Sequence, residues 1–176
     1  MAIKVNLELT VKDTTEAVKR GNVIVIIDVL RCTSSMINAL ANGARRIIPV
    51  KTLREAYRLK SENPSFLLAG ERKGTKPKGF DFGNSPLEFT RDKVHGKTLI
   101  FTTTSGTAAI SRCRTAKYIL IASFLNASSV ASKALQIAST EEKGISIVPS
   151  GLKGRFCLED FLCGGAIVER LIGDDV

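Results

Sequence analysis

The chain is poor in the residues on which imidazole and thiol chemistry depends. Its 176 residues include one histidine, His95, and four cysteines. One histidine cannot form a two-histidine metal site, and no cysteines have the CxxC spacing of a zinc knuckle or a thioredoxin-type motif. A cysteine-dependent phosphatase loop has arginine six residues after its cysteine, whereas Asn38 stands six residues after Cys32. We therefore expect the chemistry to rest on carboxylates, hydroxyls, cationic side chains and, where one is bound, a metal ion.

Long apolar runs are missing as well. No run approaches the roughly 18 residues that a membrane span needs, and the N-terminal stretch MAIKVNLELT alternates with charges, unlike a signal peptide. A hydrophobic content of 44% and a charged content of 24% are ordinary for a globular protein. We therefore expect a cytoplasmic protein with a single domain over residues 1–176.

Aromatic residues are scarce, whereas positive charge is abundant. Aromatics make up 6% of the chain, tryptophan is absent, and the formal net charge is +9. Such a charge could bind nucleic acid, could bind a small polyanion in a basic cleft, or could simply be spread over the solvated surface. Since the sequence has neither basic tracts nor aromatic stacking motifs, we do not expect nucleic acid as a partner.

One stretch joins a buried strand to a helix through a charged loop. Residues 23–27 (VIVII) are all β-branched, which is typical of a strand buried on both faces. Asp28 ends the run, and residues 33–35 (TSS) offer hydroxyls that can cap a helix beginning there. In open α/β sheets, ligands bind where strand C-termini meet helix N-termini. Asp28 and its loop are therefore predicted to form part of an active site.

Strand and helix patterns alternate along the chain, which predicts an α/β fold. We expect a three-layer α/β/α arrangement with a largely parallel or mixed sheet. The stretches IIDVLRCTSS…ARRIIPV and LIFTTTSGT…AKYILIA repeat the order strand, hydroxyl-rich loop, helix, strand. The repeat indicates either an old duplication or chance convergence. The longest irregular segment, residues 70–85, contains Phe80 and Phe82 and is predicted to be an ordered, packed loop.

Three further positions carry the side chains of helix starts. Asp13 with Glu16 is a capping pattern, Ser85 with Glu88 is a capping box around a proline, and Asn126 precedes a helical pattern. We expect a helix to begin at each of them.

Four loops fall at predicted strand C-termini, where they can meet. They are residues 28–35, 70–85, 102–107 and 150–155, the last continuing into a helix. Their hydroxyls and glycine N–H groups can bind phosphate oxygens, and their carboxylates suit a Mg²⁺ ion. For the hydroxyl residues, a structural role in caps and turns is an equally good interpretation. The cations of these loops are Arg31, Arg72, Lys153 and Arg155.

Two known phosphate-handling patterns are excluded. GERKGTK lacks the GK[ST] ending of a P-loop, so nucleoside triphosphate hydrolysis is not supported. Haloacid-dehalogenase-type phosphatases place a second aspartate two residues after the first, and here Leu30 follows Asp28 at that spacing.

Several motifs follow one another in a specific order. In chain order they are IDVLRCTSS, AGER, GFDFGNSPLEFT, TTTSGTAAI, SFLNASSVA and GRFCLEDFLCGGAIVERL. This series covers nearly all of residues 23–171 and resembles the 2-phosphosulfolactate phosphatase family. GNSPLE and GRFxLED together with the D-V-L-R-x-T-S loop make the resemblance specific.

The resemblance implies a Mg²⁺-dependent phosphatase that hydrolyses 2-phospho-3-sulfolactate to 3-sulfolactate and phosphate, a step towards coenzyme M. Asp28, Glu159 and Asp160 are then the expected catalytic residues, and Asp28, Glu71 and Asp81 are the expected metal ligands. Asp28 would either attack phosphorus or hold the metal. The residues expected to bind substrate and phosphate are Arg31, Thr33, Ser34, Ser35, Arg72, Asn84, Ser105, Gly106, Thr107, Asn126 and Arg155.

Alternatives to this function stay open. One is a phosphatase that acts on another small phosphorylated acid, and another is a non-catalytic anion-binding or regulatory domain. Family members usually extend further after the GAIVERL helix, so we expect this chain to lack the usual C-terminal extension. Whether the protein is a monomer or a homodimer is also open.

Overall fold

The computed structural model describes residues 2–173, so Asp174 to Val176 lie outside the described residues. Within this range, strands and α-helices alternate as the sequence predicts. In chain order they are β1 (Val5–Leu7), α1 (Thr14–Lys19), β2 (Val23–Ile27), α2 (Cys32–Ala41), β3 (Arg46–Pro49), α3 (Leu53–Glu62), β4 (Leu67–Gly70), α4 (Arg91–Val94), β5 (Thr98–Thr102), α5 (Gly106–Arg112), β6 (Ile119–Ala122), α6 (Ala127–Glu141), β7 (Ile145–Pro149) and α7 (Leu158–Ile172).

The strands form two parallel sheets, where the sequence predicted one. The first sheet has the order β1-β7-β2-β6 and the second has the order β3-β5-β4. Every strand pair in them is parallel. The predicted α/β class and helix-covered parallel sheets are thereby confirmed. β2 and β5, which are buried along their whole length, each have a neighbouring strand on both sides in a separate sheet.

Each sheet is covered by helices on both faces, as a fully apolar parallel strand requires. One face of β2 packs on α6 and α7, and its other face packs on α1 and α5. In the second sheet, α2 covers one face and α3 covers the other. Because α2 and α5 also contact each other, they lie between the two sheets.

The strand order has an internal two-fold pattern. β2 lies between β6 and β7, and β5 lies between β3 and β4. The segment β2–β4 therefore supplies the centre of one sheet and both flanks of the other, and the segment β5–β7 does the reverse. A reciprocal exchange of this kind favours the old duplication over chance convergence.

The same pattern is repeated in hydrogen bonds. The Thr33 hydroxyl accepts from the N–H of Asp28 and donates to its carbonyl, both at 2.9 Å. The Thr107 hydroxyl binds the N–H of Thr103 at 2.9 Å and its carbonyl at 3.0 Å. Each threonine thus secures the residue that follows the central strand of a sheet.

The predicted helix starts need correction in detail. α2 begins at Cys32, so Thr33, Ser34 and Ser35 lie inside its first turn rather than before it. Asp13 closes a capping box with Thr10 around the 3-10 turn Val11–Asp13, so it belongs to a turn that begins earlier. In both places the side chain accepts from the N–H of a preceding residue, Asp28 for Thr33 and Thr10 for Asp13. α1 nevertheless begins directly after Asp13, as predicted.

The two other predicted helix starts agree only in part. α6 begins directly after Asn126, as predicted, but without a side-chain cap. The Asn126 side chain accepts from the Ser123 N–H and donates to the Ile121 carbonyl, so it closes the turn before α6 rather than capping that helix. The Ser85–Glu88 capping box is present but begins only the 3-10 turn Pro86–Glu88. That turn ends because Phe89 packs into the core between Phe82 and Phe101.

The remaining loop and helix findings bear on later sections. Phe80 and Phe82 are both buried, which confirms the prediction that residues 70–85 form an ordered, packed loop. Among residues 2–173, none of the helices combines the length and the apolar content that crossing a membrane would require.

Candidate active site

A cavity of about 420 Å³ opens where the C-terminal ends of β2, β4, β5 and β7 meet. The two-fold pattern brings these four ends together from both sheets. The residues that line the cavity are Asp28, Leu30, Arg31, Glu71, Lys73, Gly74, Asn84, Thr103, Thr104, Ser105, Gly151, Leu152, Lys153, Cys157, Glu159 and Asp160.

Asp28 is the buried carboxylate at the end of β2. Only 8% of its surface is exposed, and its Oδ1 accepts a 3.1 Å hydrogen bond from the backbone N–H of Cys32. Burial raises the pKa of Asp28 to about 6; the Cys32 hydrogen bond opposes this increase, and the negative charges of Asp160 and Glu71 add to it. A carboxyl pKa raised in this way is common at functional sites, where a buried acid serves chemistry or holds a cation.

Glu71, directly after β4, organises two loops with its carboxylate. Oε1 accepts from the N–H of Thr104 at 2.6 Å, and Oε2 accepts from the N–H of Gly74 at 2.7 Å and from the Thr104 hydroxyl at 3.1 Å. Both oxygens are therefore used to join the loop after β4 to the loop after β5.

Asp160 does the same for two other loops. Its carboxylate, in the first turn of α7, accepts from the N–H of Val29 at 2.8 Å and from the N–H of Gly151 at 3.0 Å. Burial raises the pKa of Asp160, and the two backbone hydrogen bonds oppose the increase. Neighbouring Glu159 also lines the cavity.

Among residues 2–173, two buried polar atoms near these carboxylates have no hydrogen-bond partner. Oδ1 of Asn84 is one of them, and the Ser150 hydroxyl is the other. Ser150 lies near enough to lower the pKa of Asp28 and of Asp160, although it does not reach hydrogen-bond geometry with either. Buried polar groups are normally paired. Of these two residues, Asn84 lines the cavity, so its amide oxygen is the one placed to accept a hydrogen bond from a polar ligand.

Three cations accompany the four carboxylates of the lining. Arg31 lies in the Asp28 loop, Lys73 lies in the loop after β4, and Lys153 lies in the loop after β7. All three are exposed at the cavity. The site therefore presents positive charge around a buried negative floor, an arrangement suited to anions and to a cation between anions.

The cysteines take no part in this electrostatic arrangement. Burial raises the pKa of the Cys32 thiol well above its usual range. At the cavity, burial together with the charges of Glu159 and Asp160 raises the pKa of Cys157. Both thiols are therefore protonated at neutral pH and are poor nucleophiles.

Seven of the residues that the sequence predicts for the site come together at the cavity. They are Asp28, Arg31, Glu71, Asn84, Ser105, Glu159 and Asp160. Their individual roles stay predictions, but their proximity follows from the fold.

The hydroxyls of the α2 segment lie outside the lining. Thr33 binds the backbone of Asp28, Ser34 donates to the Val29 carbonyl at 2.8 Å, and Ser35 donates to the Asn84 carbonyl at 2.9 Å. These buried hydroxyls hold the loops that surround the cavity.

Other predicted binding residues are also placed beside the cavity rather than in its lining. Thr107 secures Thr103, Asn126 closes a turn after β6, and Gly106 is packed against Cys32. Arg155 is exposed and closes a hairpin with Leu152 through its backbone.

The side chains of Arg72 and Asp81 likewise form hydrogen bonds with groups of the protein and do not line the cavity. The Arg72 guanidinium donates to the carbonyls of Glu71 and Lys51, both at 2.8 Å, and to the Thr102 hydroxyl. Burial lowers the pKa of Arg72, and the Glu71 charge opposes this. Asp81, the third predicted metal ligand, accepts from the N–H of Leu68 at 2.7 Å.

Sequence reasoning placed Lys73, Thr103 and Thr104 in loops that were expected to meet, but did not name them as site residues. All three line the cavity. A signal for Lys73 was present, because RKGT after β4 and LKGR after β7 share a lysine–glycine pair. A signal for the threonines was their position at the end of the buried strand β5.

The donor set of the cavity suits a metal ion that prefers oxygen. Within residues 2–173, no group of three or more His, Cys, Asp or Glu side chains is spaced to hold a metal. Glu71 and Asp160 use both carboxylate oxygens on backbone N–H groups, whereas Asp28 uses only Oδ1 in this way. The residues fit a Mg²⁺ bound by one or two carboxylates and completed by water and substrate oxygens, as that ion often is.

Comparison with known protein families agrees with this site. The family model of 2-phosphosulpholactate phosphatase matches residues 9–176. The chain belongs to the 2-phosphosulpholactate phosphatase family. Its membership agrees with the motif order that surrounds the cavity.

Individual relatives support the same assignment. A probable 2-phosphosulfolactate phosphatase of Thermotoga petrophila is 51% identical over 152 residues, which are 86% of this chain and 63% of that protein. Its Thermotoga maritima counterpart is 50% identical with the same coverage. A Clostridium acetobutylicum protein of the same description is 44% identical over 94% of this chain and 69% of its own length. The chain thus spans less than two thirds of the length of the Thermotoga relatives.

Proposed function

We propose that this protein hydrolyses the phosphate ester of 2-phospho-3-sulfolactate, with Mg²⁺, to give 3-sulfolactate and phosphate. The observation that carries the proposal is the buried Asp28 carboxylate, which lies in a cavity ringed by Arg31, Lys73 and Lys153. The three anionic groups of that substrate would match the three cations. We further propose that residues 1–176 form one phosphatase-like domain that acts in coenzyme M biosynthesis.

The lining residues divide between anion binding and the reacting bond. Arg31, next to the Asp28 loop, would bind phosphoryl oxygens, since guanidinium forms paired hydrogen bonds with them. Ser105 lines the same cavity. Its hydroxyl accepts from the N–H of Lys153 at 3.4 Å, so its own hydrogen can be donated to a phosphoryl oxygen and would stabilise charge there. Glu159, whose carboxylate holds no backbone N–H in the described part of the chain, would move protons to the leaving group or from water.

A bound Mg²⁺ would supply charge neutralisation of the phosphoryl oxygens. Asp28 would hold it through Oδ2, with Asn84 or Glu71 nearby. A phosphoryl group transferred to Asp28 is the alternative role of this residue. Acid quench of the enzyme during turnover of substrate labelled in its phosphate separates the two roles. Labelled phosphate would remain covalently bound to residue 28 only if Asp28 is the nucleophile.

The test is release of inorganic phosphate from 2-phospho-3-sulfolactate by the purified protein, with and without Mg²⁺. We expect turnover that requires the metal and falls at least about 100-fold in Asp28→Asn, on the scale of losing a catalytic group. Glu169→Gln, on the exposed face of α7, is the matched control and should keep the wild-type rate. An unchanged rate in Asp28→Asn would contradict the assignment.

The alternatives give different results in the same assay. A phosphatase for another small phosphorylated acid would release phosphate from that acid and hardly from phosphosulfolactate. A non-catalytic anion-binding domain would bind phosphosulfolactate but release nothing with any divalent metal. Cytoplasmic localisation, a homodimer and the absence of a nucleic-acid partner stay predictions from the sequence.

A further inference from the structure

Two short hairpins with the same conformation border the cavity. In the first, Arg72 and Thr75 exchange backbone hydrogen bonds of 2.9 and 3.1 Å across Lys73-Gly74. In the second, Leu152 and Arg155 exchange bonds of 3.1 and 3.0 Å across a second lysine–glycine pair. Because one hairpin follows β4 and the other follows β7, the internal two-fold pattern relates them.

Both lysines have a backbone conformation that lysine seldom adopts. The φ angles are 54° for Lys73 and 53° for Lys153, and the glycines that follow have φ of 81° and 77°. A hairpin with two positive φ angles favours asparagine, aspartate or glycine at its first central position, and other residues there cost about 1–2 kcal/mol. Turn chemistry therefore does not explain a lysine at this position in both hairpins.

Adjacent residues of the loop after β5 hold the two lysines. The N–H of Lys73 donates to the Thr104 hydroxyl at 3.3 Å, and the N–H of Lys153 donates to the Ser105 hydroxyl at 3.4 Å. Both lysines line the cavity, and within the described part of the chain neither forms an ion pair. The backbones of the two lysines are thus held by adjacent residues at the edge of one cavity, and in residues 2–173 no carboxylate pairs with either ammonium group.

We propose that Lys73 and Lys153 form a clamp for the two anionic groups of the substrate that are not transferred. In the proposed function, on which this inference rests, these groups are the carboxylate and the sulfonate. An ammonium is a compact point charge that suits a singly charged group, whereas Arg31 and Asp28 lie where the phosphoryl group would react. The ligand class of the clamp is a small acid with two anionic groups on neighbouring carbons.

The internal symmetry supports this division. The clamp lysines occupy equivalent positions in the two halves, whereas Asp28 of the first half is matched by Thr103 in the second. Equivalent positions thus provide two similar binding groups for two similar charges. At the position directly after the central strand the halves differ, and the carboxylate that the first half has there provides the reactive group.

The experiment measures binding of 3-sulfolactate, which has both anionic groups and no phosphate, by calorimetry at low salt. Lys73→Asn and Lys153→Asn remove one charge each and leave asparagine–glycine, the sequence that such a hairpin prefers. We expect each to weaken binding about tenfold and the double variant about 100-fold, since separate contacts add. Binding of inorganic phosphate should change less than twofold.

Two controls make the result specific. Lys76→Asn removes an exposed lysine of the same loop that does not line the cavity and should bind 3-sulfolactate as the wild type does. Lys73→Arg and Lys153→Arg retain the charge and should stay within about threefold of the wild type. Unchanged 3-sulfolactate binding in both asparagine variants, or no binding by the wild type, would overturn the clamp.

The outcome is separable from that of the proposed function. If no phosphate is released from phosphosulfolactate but 3-sulfolactate binding still depends on both lysines, the clamp stands and the hydrolysis proposal fails. If phosphate is released and the asparagine variants bind 3-sulfolactate normally, hydrolysis stands and the clamp fails.

Discussion

A Cβ atom added to Gly106 would lie 2.6 Å from Oδ2 of Asp28. It would also lie 2.5 Å from Cβ and 2.6 Å from Sγ of Cys32. The φ of Gly106 is not positive, so close approach rather than backbone conformation requires glycine here. The first residue of α5 is thus packed directly against the carboxylate that ends β2, which joins the two halves of the molecule at the site.

Gly106→Ala should therefore damage the site more than the fold. We expect the free energy of unfolding to fall by about 1–3 kcal/mol, as overpacking of a core does, and phosphatase activity to fall at least about tenfold because Asp28 must move. Denaturant unfolding and phosphate release measure the two effects.

Gly165→Ala is the matched control for this change. Gly165 lies within α7, and an added Cβ there meets nothing within 4 Å. Alanine should stabilise the helix by up to about 1 kcal/mol and leave activity unchanged. If Gly106→Ala were as active as Gly165→Ala, the close contact between Gly106 and Asp28 would not be needed for activity.

Stability should depend on pH through Asp28. Since the pKa of Asp28 rises from 3.8 to about 6 on folding, the native state binds more protons between these values. The free energy of unfolding should then decrease as pH rises through this window. Two pKa units correspond to about 3 kcal/mol.

Asp28→Asn removes this titration, because asparagine resembles the protonated acid. With a chelator present to remove bound metal, the free energy of unfolding of the variant should be close to that of the wild type near pH 4. Near pH 7 it should be higher by up to about 3 kcal/mol. Urea unfolding across this range measures the difference, with Glu169→Gln as the exposed control. If the difference in unfolding free energy between the two proteins did not vary with pH, folding would not raise the pKa of Asp28 and this prediction would be wrong.

Asp160 should have a structural role, whatever part it has in the proposed reaction. Alanine at this position leaves the N–H groups of Val29 and Gly151 without their acceptors, and each unpaired buried group costs about 1–3 kcal/mol. We expect Asp160→Ala to lose about 2–4 kcal/mol of unfolding free energy and Asp160→Asn to lose less, because its oxygen still accepts one bond.

The neighbouring acid provides the comparison. Glu159→Ala should stay within about 0.5 kcal/mol of the wild type, since its carboxylate holds no backbone N–H in residues 2–173 and such changes are usually small. Thermal unfolding of Asp160→Ala, Asp160→Asn and Glu159→Ala measures the order of their stabilities. If Glu159→Ala were the more destabilised protein, the structural role assigned to Asp160 would be wrong.

Local patterns in the sequence determined the elements and the central acid. The β-branched run of β2 predicted a strand buried on both faces, and Asp28 was predicted at the site because a charge follows that run. The phenylalanines of residues 70–85 predicted a packed loop. These inferences succeed because hydrophobic burial and strand propensity depend on residues that are neighbours in the chain.

Only the tertiary structure decided how strands are shared between sheets and what the polar side chains bind. Thr33, Arg72 and Asp81 are chemically suited to phosphate or metal, yet each hydrogen-bonds groups of the protein that surround the site. Lys73 and Lys153 stand 80 positions apart in the sequence and meet only because β4 and β7 end beside β5 and β2. A side chain's partner is set by which backbone groups the fold leaves unpaired nearby, and that depends on contacts between distant parts of the chain.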